Sequence, residues 1–328
     1  MSMDSHGRLI DYLRISVTDR CNERCTYCMP HGYQGWSEKK DHLNADDLIR
    51  IATAACNLGF RKFRLTGGEP LVRHDIVEIA ERLWNLPGVE TLGISTNGTL
   101  LRQLAHPLRQ AGVRSLNISL DALDPDLYHQ VTGGKIHQVL EGIDAAKAEG
   151  FECIKLNTVL MRGITESQIP ALLDLAEKNK FPIRFIELMP LSDPKMLLPE
   201  NFLSIAELQS LLGGIENLEP LPETGEKKIG HGPARYYRLR SNGVRIGLIG
   251  ALTKIDFCGA CNKLRLTSDG KLRPCLGQHG EMDLKGILKR GTDEDLVNAF
   301  AETIRQKPLD HSFLQQYQPQ RPMVAIGG

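Results

Sequence analysis

Over the first 190 residues the apolar positions switch repeatedly between two spacings. Short runs rich in Val, Ile, Leu and Phe end near Val17, Leu65, Thr96, Leu120, Leu160 and Glu187, and read as six strands. Between them apolar residues recur at helical spacing, which predicts helices near 75–84, 101–111, 137–149 and 167–179. An earlier helix starts after Asn44, an N-cap followed by Asp46 and Asp47 in the first turn, and ends before Gly59. Strand and helix in repeated alternation predict a parallel sheet, because parallel neighbours need a crossover long enough to hold a helix.

Beyond about Pro190 the pattern loosens into Pro- and Gly-rich connections, such as Leu198-Pro199-Glu200 and the stretch 219–233. A hairpin is expected about Ser241-Asn242-Gly243, then two helices near 283–290 and 293–306 and a polar tail ending Ile326-Gly327-Gly328. The chain therefore divides into residues 1–190 and 191–328, with no internal repeat beyond the strand–helix unit.

In parallel strand–helix folds ligands gather at the carboxyl ends of the strands, where the connecting loops vary while the sheet stays packed. The unusual residues of this chain fall there. Cys21 to Cys28 follow the first strand, Thr66-Gly67-Gly68-Glu69-Pro70 the second, Ser95-Thr96-Asn97-Gly98 the third and Ser119-Leu120-Asp121 the fourth. Lys155 lies in the fifth strand and Met189-Pro190 follows the sixth.

Composition narrows the function classes. Lys+Arg and Asp+Glu are both 40 in 328 residues, so no global field attracts nucleic acid, and an anionic partner must meet a local cluster. Residues 1–9 contain no apolar leader segment, and the longest apolar stretch, Ile246 to Leu252, is far too short to cross a bilayer. A soluble, cytoplasmic protein without a membrane partner is expected. Six of the 8 cysteines fall in two tight groups, the pattern of metal ligands more than of a disulfide framework. Cys56 and Cys153 stand alone in apolar helix-like and strand-like segments and read as buried structural thiols.

Cys21-x3-Cys25-x2-Cys28 puts three thiols in one short loop, enough to hold a four-iron, four-sulfur cluster while leaving one iron open to a ligand. Cys258-x2-Cys261-x13-Cys275 is a second group of three; it fits another such cluster, or a structural zinc if His279 were the fourth ligand. His279 sits in a Gly-rich turn and is expected to face water. Between these cysteines, strand alternation puts Lys263 and Arg265 on one face. With Arg14, Arg64, Lys155 and Arg184 on or beside barrel strands, they predict an anion pocket, since cations pointing into a barrel need compensating charge.

The first cysteine loop, with the aromatic Tyr27 before its last cysteine, resembles the signature of the radical S-adenosylmethionine superfamily. The resemblance implies that the open iron chelates S-adenosylmethionine and that electron transfer breaks its sulfonium bond to give a 5'-deoxyadenosyl radical. Gly67-Gly68-Glu69-Pro70, at its distance behind the loop, resembles that family's methionyl-amine site, and Ser119 in Asn117-Ile118-Ser119-Leu120-Asp121 its ribose-contacting position.

From Arg14 to the terminal Gly-Gly the chain resembles one family in particular, the GTP 3',8-cyclases of molybdenum cofactor biosynthesis. The fold so implied is α/β, an incomplete (β/α)6 TIM-type barrel closed by a smaller α+β C-terminal domain that carries a second iron-sulfur cluster. The implied cofactors are two 4Fe-4S clusters, on Cys21, Cys25 and Cys28 and on Cys258, Cys261 and Cys275, together with S-adenosylmethionine. Tyr27, Gly68, Ser119 and Met189 would touch S-adenosylmethionine; Arg14, Arg64, Ser95, Lys155, Arg184, Lys263, Leu264 and Arg265 would hold GTP. The implied reaction removes the 3' hydrogen of the GTP ribose and joins that carbon to C8 of guanine, with the tail Gly327-Gly328 assisting. The implied partners are GTP, an electron donor of the flavodoxin or ferredoxin type, a second copy in a homodimer, and a downstream cyclic pyranopterin monophosphate synthase.

Lys263 and Ser95 are among the departures from the family pattern. Lys263 replaces a more usual arginine, exchanging a planar fork for a point charge, and Ser95 replaces threonine while keeping the hydroxyl. Two other readings remain open at this point: a two-cluster radical enzyme acting on a peptide or another substrate, and an iron-sulfur redox protein without catalysis.

Overall fold

Alternate residues of the first strand face different media. In β1 (Tyr12–Ser16), Leu13 and Ile15 are 0% and 1% exposed and belong to the main hydrophobic core, whereas Tyr12 and Arg14 line an interior cavity. The same division repeats in β2 (Lys62–Thr66), where Phe63 and Leu65 are buried in the core and Arg64 reaches the cavity. The sheet thus carries apolar side chains toward surrounding helices and polar ones toward its own interior. Each fully buried Leu, Ile or Phe of the outer layer contributes roughly 1.5–3 kcal/mol relative to exposure, which offsets the cost of a charged interior.

The computed structural model describes residues 2–29, 32–33, 35, 41–222, 229–230, 232–253, 257–315 and 317–327. After β1 come α1 (Ala45–Asn57), β2, α2 (Ile76–Trp84), β3 (Thr91–Thr96), α3 (Leu101–Gln110) and β4 (Ser115–Ser119). The series continues with α4 (Pro125–Thr132), α5 (Ile136–Ala148), β5 (Cys153–Leu160), α6 (Thr165–Asn179) and β6 (Ile183–Glu187). All six strands pair in parallel and in chain order, as the alternation predicts, and the partial barrel they form does not close on itself. Asn44 caps α1 through a bond from Asp47 N at 2.8 Å, the start read from the sequence. The eight-residue α4 gave no legible period, being little more than two turns long.

An open barrel exposes two strand edges whose backbone groups need partners, and the last third of the chain supplies them. Here α7 (Ile205–Leu211) leads to β7 (Leu218–Pro220), β8 (Arg235–Leu239) and β9 (Arg245–Ile249); β8 and β9 form the expected hairpin, with β9 parallel to β6. At the other edge β10 (Lys263–Leu266) pairs in parallel with β1 and continues into β11 (Lys271–Arg273) and β12 (Met282–Asp283). Among the described residues the C-terminal region therefore has no separate sheet; twelve strands form one, in the order β12-β11-β10-β1-β2-β3-β4-β5-β6-β9-β8-β7. Finally α8 (Lys285–Arg290), α9 (Asp293–Arg305) and the short α10 (Met323–Ile326) close the chain. A Thr292–Asp295 capping box starts α9, which packs on α1 with Phe300 set edge-on to Phe60. Among the described residues no helix is long and apolar enough to cross a membrane.

Candidate active site

Two cavities meet inside the barrel. One, of about 220 Å³, lies at the carboxyl ends of the strands; the other, of about 940 Å³, fills the barrel and reaches the cysteines of the C-terminal region. Ser95, Ser119, Asn157, Ile186, Met189 and Met323 line both, so the two chambers share a wall of strand residues, one residue just beyond β6 and one residue of the tail.

Cys21, Cys25 and Cys28 all line the smaller chamber, with Tyr27, Gly68, Ser119 and Met189. Their loop is a tight turn, with Cys28 N and Met29 N both donating to Cys25 O, and it is tied to the end of α4 by Arg24 N to Thr132 O and Thr26 N to Val131 O. The Gly67-Gly68 pair has a reason that the sequence alone did not reveal. A Cβ on Gly67 would lie 2.3 Å from Thr18 O, and one on Gly68 2.3 Å from Arg20 O. The glycines let the second strand's loop lie directly on the backbone leading into the cysteines, with Gly68 N and Glu69 N donating to those same carbonyls.

Acids crowd the same chamber. Glu69 is buried and accepts from Leu71 N, Thr96 Oγ1 and Asn97 N at 3.0, 2.7 and 2.6 Å. Burial nonetheless pushes its carboxyl up to about 7. Asp121 accepts from the Tyr27 hydroxyl at 2.8 Å and from Val159 N at 2.8 Å, and burial raises it to about 6. Burial pushes the Cys28 thiol up to about 12, and raises Cys21 and Cys25 with help from Glu69 and Asp121 respectively. Thiols and carboxyls that all resist ionisation fit a ligand bringing positive charge, such as an iron core, a sulfonium or an ammonium.

The larger cavity has the opposite character. Arg14, Arg64, Ser95, Lys155, Arg184, Lys263 and Arg265 line it beside Cys258, Cys261 and Cys275. Arg14 stands in register with Arg64 on one side and Arg265 on the other, like charges directly opposed across parallel strands. Burial holds Arg14 well below the usual guanidinium range, and Arg265, Arg64 and Arg184 press it further down. Burial likewise lowers Lys263 to about 8 and Arg265 to about 10. Such a lining fits a polyanion. Among the described residues no three His, Cys, Asp or Glu side chains are gathered as ligands of one ion, so the cysteine trios are legible from the cavities they share.

Some of these cations have partners in the protein. Arg64 donates to the Tyr12 hydroxyl, Ile94 O and Ser115 Oγ, and the room for its guanidinium comes from Gly93, where a Cβ would lie 2.6 Å from Nη2. Arg184 Nε donates to Asn157 Oδ1 at 2.8 Å, and Lys263 Nζ to Asn262 Oδ1 at 2.8 Å. The tail also enters the site. Arg265 Nη1 donates to Gly327 O at 2.5 Å, Val324 N bonds the Cys28 thiol, and a Cβ on Gly327 would press within 2.8 Å of Ser16 Cβ. Gly328 lies outside the described residues.

Three expectations need correction. Leu264 does not line the cavity; as the alternate residue of β10 it points the other way and is 0% exposed in the core. His279 is half-buried and stacked on Tyr317, ring centroids 4.8 Å apart, instead of facing water. Cys153 is not a core thiol; it lines the large cavity, and its sulfur accepts from Lys155 Nζ at 3.0 Å. Period two was the missed signal, because Cys153 lies two before Lys155 as Tyr12 lies two before Arg14 and Asn117 two before Ser119. Asn117 lines the cavity with a buried Oδ1 that has no hydrogen-bond partner.

Tyr12 yields a pH prediction. Burial raises its phenol, but the Arg64 and Arg14 charges, the Arg64 hydrogen bond and Lys263 outweigh it and lower the value from 10.0 to about 8. Between pH 8 and 10 the unfolded chain then binds the extra proton, so this residue's contribution to stability is full above pH 10 and is lost as pH falls through 8. In cluster-free protein, tyrosinate absorbance is expected to rise with a midpoint near pH 8, and Tyr12→Phe to remove that step alone.

Comparison with known proteins agrees with this geometry. A family model described as the radical SAM superfamily matches residues 15–176, and one described as molybdenum cofactor synthesis C matches residues 181–313. The crystal structure of Streptococcus suis SuiB bound to precursor peptide SuiA superposes with a TM-score of 0.65 at 14% identity, covering 97% of this chain and 71% of that one. At that identity the likeness establishes the fold only. A GTP 3',8-cyclase from Peptoclostridium acidaminophilum is 42% identical over 99% of this chain and 98% of its own length. GTP 3',8-cyclase 1 of Pseudomonas aeruginosa is 43% identical over 95% and 94%. The chain belongs to the GTP 3',8-cyclase family. Its cofactors are accordingly S-adenosylmethionine and two four-iron, four-sulfur clusters, and its pathway is molybdenum cofactor biosynthesis.

Proposed function

We propose that the chain converts GTP to (8S)-3',8-cyclo-7,8-dihydroguanosine 5'-triphosphate, with the small chamber as the radical source and the large cavity as the nucleotide site. The observation that carries this reading is the paired charge character of two joined chambers, one rich in thiols and acids and the other in cations. Cys21, Cys25 and Cys28 would hold the first cluster, and Tyr27, Gly68, Ser119 and Met189 would contact S-adenosylmethionine, the shared wall bringing it to the edge of the nucleotide cavity. When bound and reduced, that cluster supplies the electron that splits S-adenosylmethionine and so a carbon radical able to take a ribose hydrogen. Cys258, Cys261 and Cys275 would hold the second cluster in the lining of the large cavity, where it would supply an open coordination position for the base.

Arg14, Arg64, Lys155, Arg184, Lys263 and Arg265 hold the nucleotide, chiefly its triphosphate, and Ser95 offers a hydroxyl at the junction of the chambers. Leu264 serves only through its backbone in β10. Fixing the phosphates orients the ribose toward the junction, where most of the rate gain from positioning would arise. Residues 1–190 form the radical-generating part and 191–328 the part that binds the second cluster and closes the cavity, with the Gly327-Gly328 tail assisting. A flavodoxin- or ferredoxin-like donor, a homodimer, a downstream cyclic pyranopterin monophosphate synthase and a cytoplasmic location complete the proposal. A redox carrier without substrate would have no use for opposed arginines lining an interior cavity.

Anaerobic turnover with each nucleoside triphosphate, read by product mass, tests the reading: GTP alone should give a cyclised product, and equal 5'-deoxyadenosine yield without GTP would defeat it. Lys155→Met should raise KM for GTP about 10- to 100-fold, since a charged hydrogen bond is worth roughly 1.5–3 kcal/mol. Iron content should not change, and kcat should change less than KM.

A further inference from the structure

Lys307 lies just beyond α9, far in sequence from both cysteine groups, yet it is 3% exposed and lines the large cavity beside the second trio. A buried ammonium must use its three protons. Its Nζ donates to Lys263 O at 2.9 Å and to Pro274 O at 2.6 Å, and the remaining hydrogen bond goes to the Cys261 thiol. Lys263 follows Cys261 by two residues, and Pro274 directly precedes Cys275. The ammonium thus bridges the backbone on both sides of the trio. The two carbonyls satisfy two of its protons but not its charge.

The position of this charge is fixed from outside the cavity. Arg8, in the N-terminal arm, donates from Nη1 to Cys258 O and Leu309 O, both at 2.9 Å, and from Nη2 to Pro308 O at 2.6 Å. Arg8 is itself held by Asp4, Nε to Oδ2 at 2.6 Å. One guanidinium therefore ties the segment carrying Lys307 to the first cysteine of the trio, so the ammonium reaches the other two without help from substrate.

We propose that Lys307 is a positioning residue of the second cysteine trio, a fixed buried cation that keeps Cys261 and Cys275 in register and raises the reduction potential of the cluster they hold, with Arg8 as its latch. The inference rests on the reading of Cys258, Cys261 and Cys275 as cluster ligands. A cation close to a cluster favours the state with one more electron, and burial limits the screening of that effect.

The test is a potentiometric titration of the anaerobically reconstituted, two-cluster protein, followed by electron paramagnetic resonance. In Lys307→Met, the reduced-to-oxidised ratio of the second cluster at a fixed potential should fall at least tenfold, a shift of 59 mV or more for one electron. The first cluster's midpoint should stay in place, and Lys307→Arg should recover most of the shift. An unmoved second midpoint in a fully loaded Lys307→Met protein overturns the proposal. If Lys307→Met loads only the first cluster, recovery of the second in Lys307→Arg supports it, whereas loss in both variants reduces Lys307 to packing and overturns it. Wild-type protein that binds a single cluster defeats the ligand reading instead, and shows this before any variant is made.

Discussion

Cys25→Ala protein, purified and reconstituted without oxygen, is expected to hold about four irons where the unchanged chain holds about eight, and to form no 5'-deoxyadenosine. The cause is local. Cys25 O closes the turn that carries Cys28 and Met29, and the residue lines the acid-lined chamber. A cubane left with two protein thiolates there would have no replacement ligand, because Glu23, Glu69 and Asp121 are engaged by Tyr128, by Thr96 and Asn97, and by Tyr27. Cyclisation should fall below about 10⁻⁴ of the wild-type rate, since enzymatic accelerations of this kind begin near ~10⁶. Cys56→Ala is the matched control: Cys56 is buried in α1 away from both chambers, so iron and turnover should both survive. Normal deoxyadenosine yield from Cys25→Ala would mean that the first loop is not the radical source.

Cys261→Ala separates the two chambers. Iron should again fall by about half, but the first cluster should remain and should still cleave S-adenosylmethionine slowly. What should vanish is the link between that cleavage and GTP, with cyclised product down at least ~10³-fold, as when a reacting group loses its orientation. Cys261 is the residue to change because, of the six thiols in the two trios, it alone is lowered: burial raises it, and the Lys307 and Lys263 charges more than compensate. Cys153→Ser is the comparison on the same cavity, expected to keep both clusters and to alter only the bond from Lys155. Full-rate cyclisation by Cys261→Ala lacking its second cluster would rule out a two-cluster mechanism.

The first of these variants could be chosen from the sequence, because covalent spacing within a loop is local. Three cysteines within eight positions must share one neighbourhood whatever the fold does, and the strand-then-helix rhythm from Tyr12 to Glu187 left few alternatives to a parallel sheet with its ligands at one end. Period two likewise revealed that Lys263 and Arg265 share a face, though the same rule, applied to Leu264, sends that side chain into the core.

What required tertiary structure was everything joining distant segments. That β10 and β9 complete the two edges of the first-half sheet follows from the need of open edges for hydrogen-bonding partners, a demand felt only once the barrel exists. The Gly67-Gly68 pair reads as a ligand cradle until the backbone of Thr18 to Arg20 is seen lying against it. His279 found Tyr317 because position on a folded surface, unlike residue type, depends on which strands and loops arrive beside it. The sequence alone determined the chemistry each loop carries, through short-range spacing; the folded chain decided which chambers adjoin and which charges face one another, because those relations arise from packing across hundreds of residues.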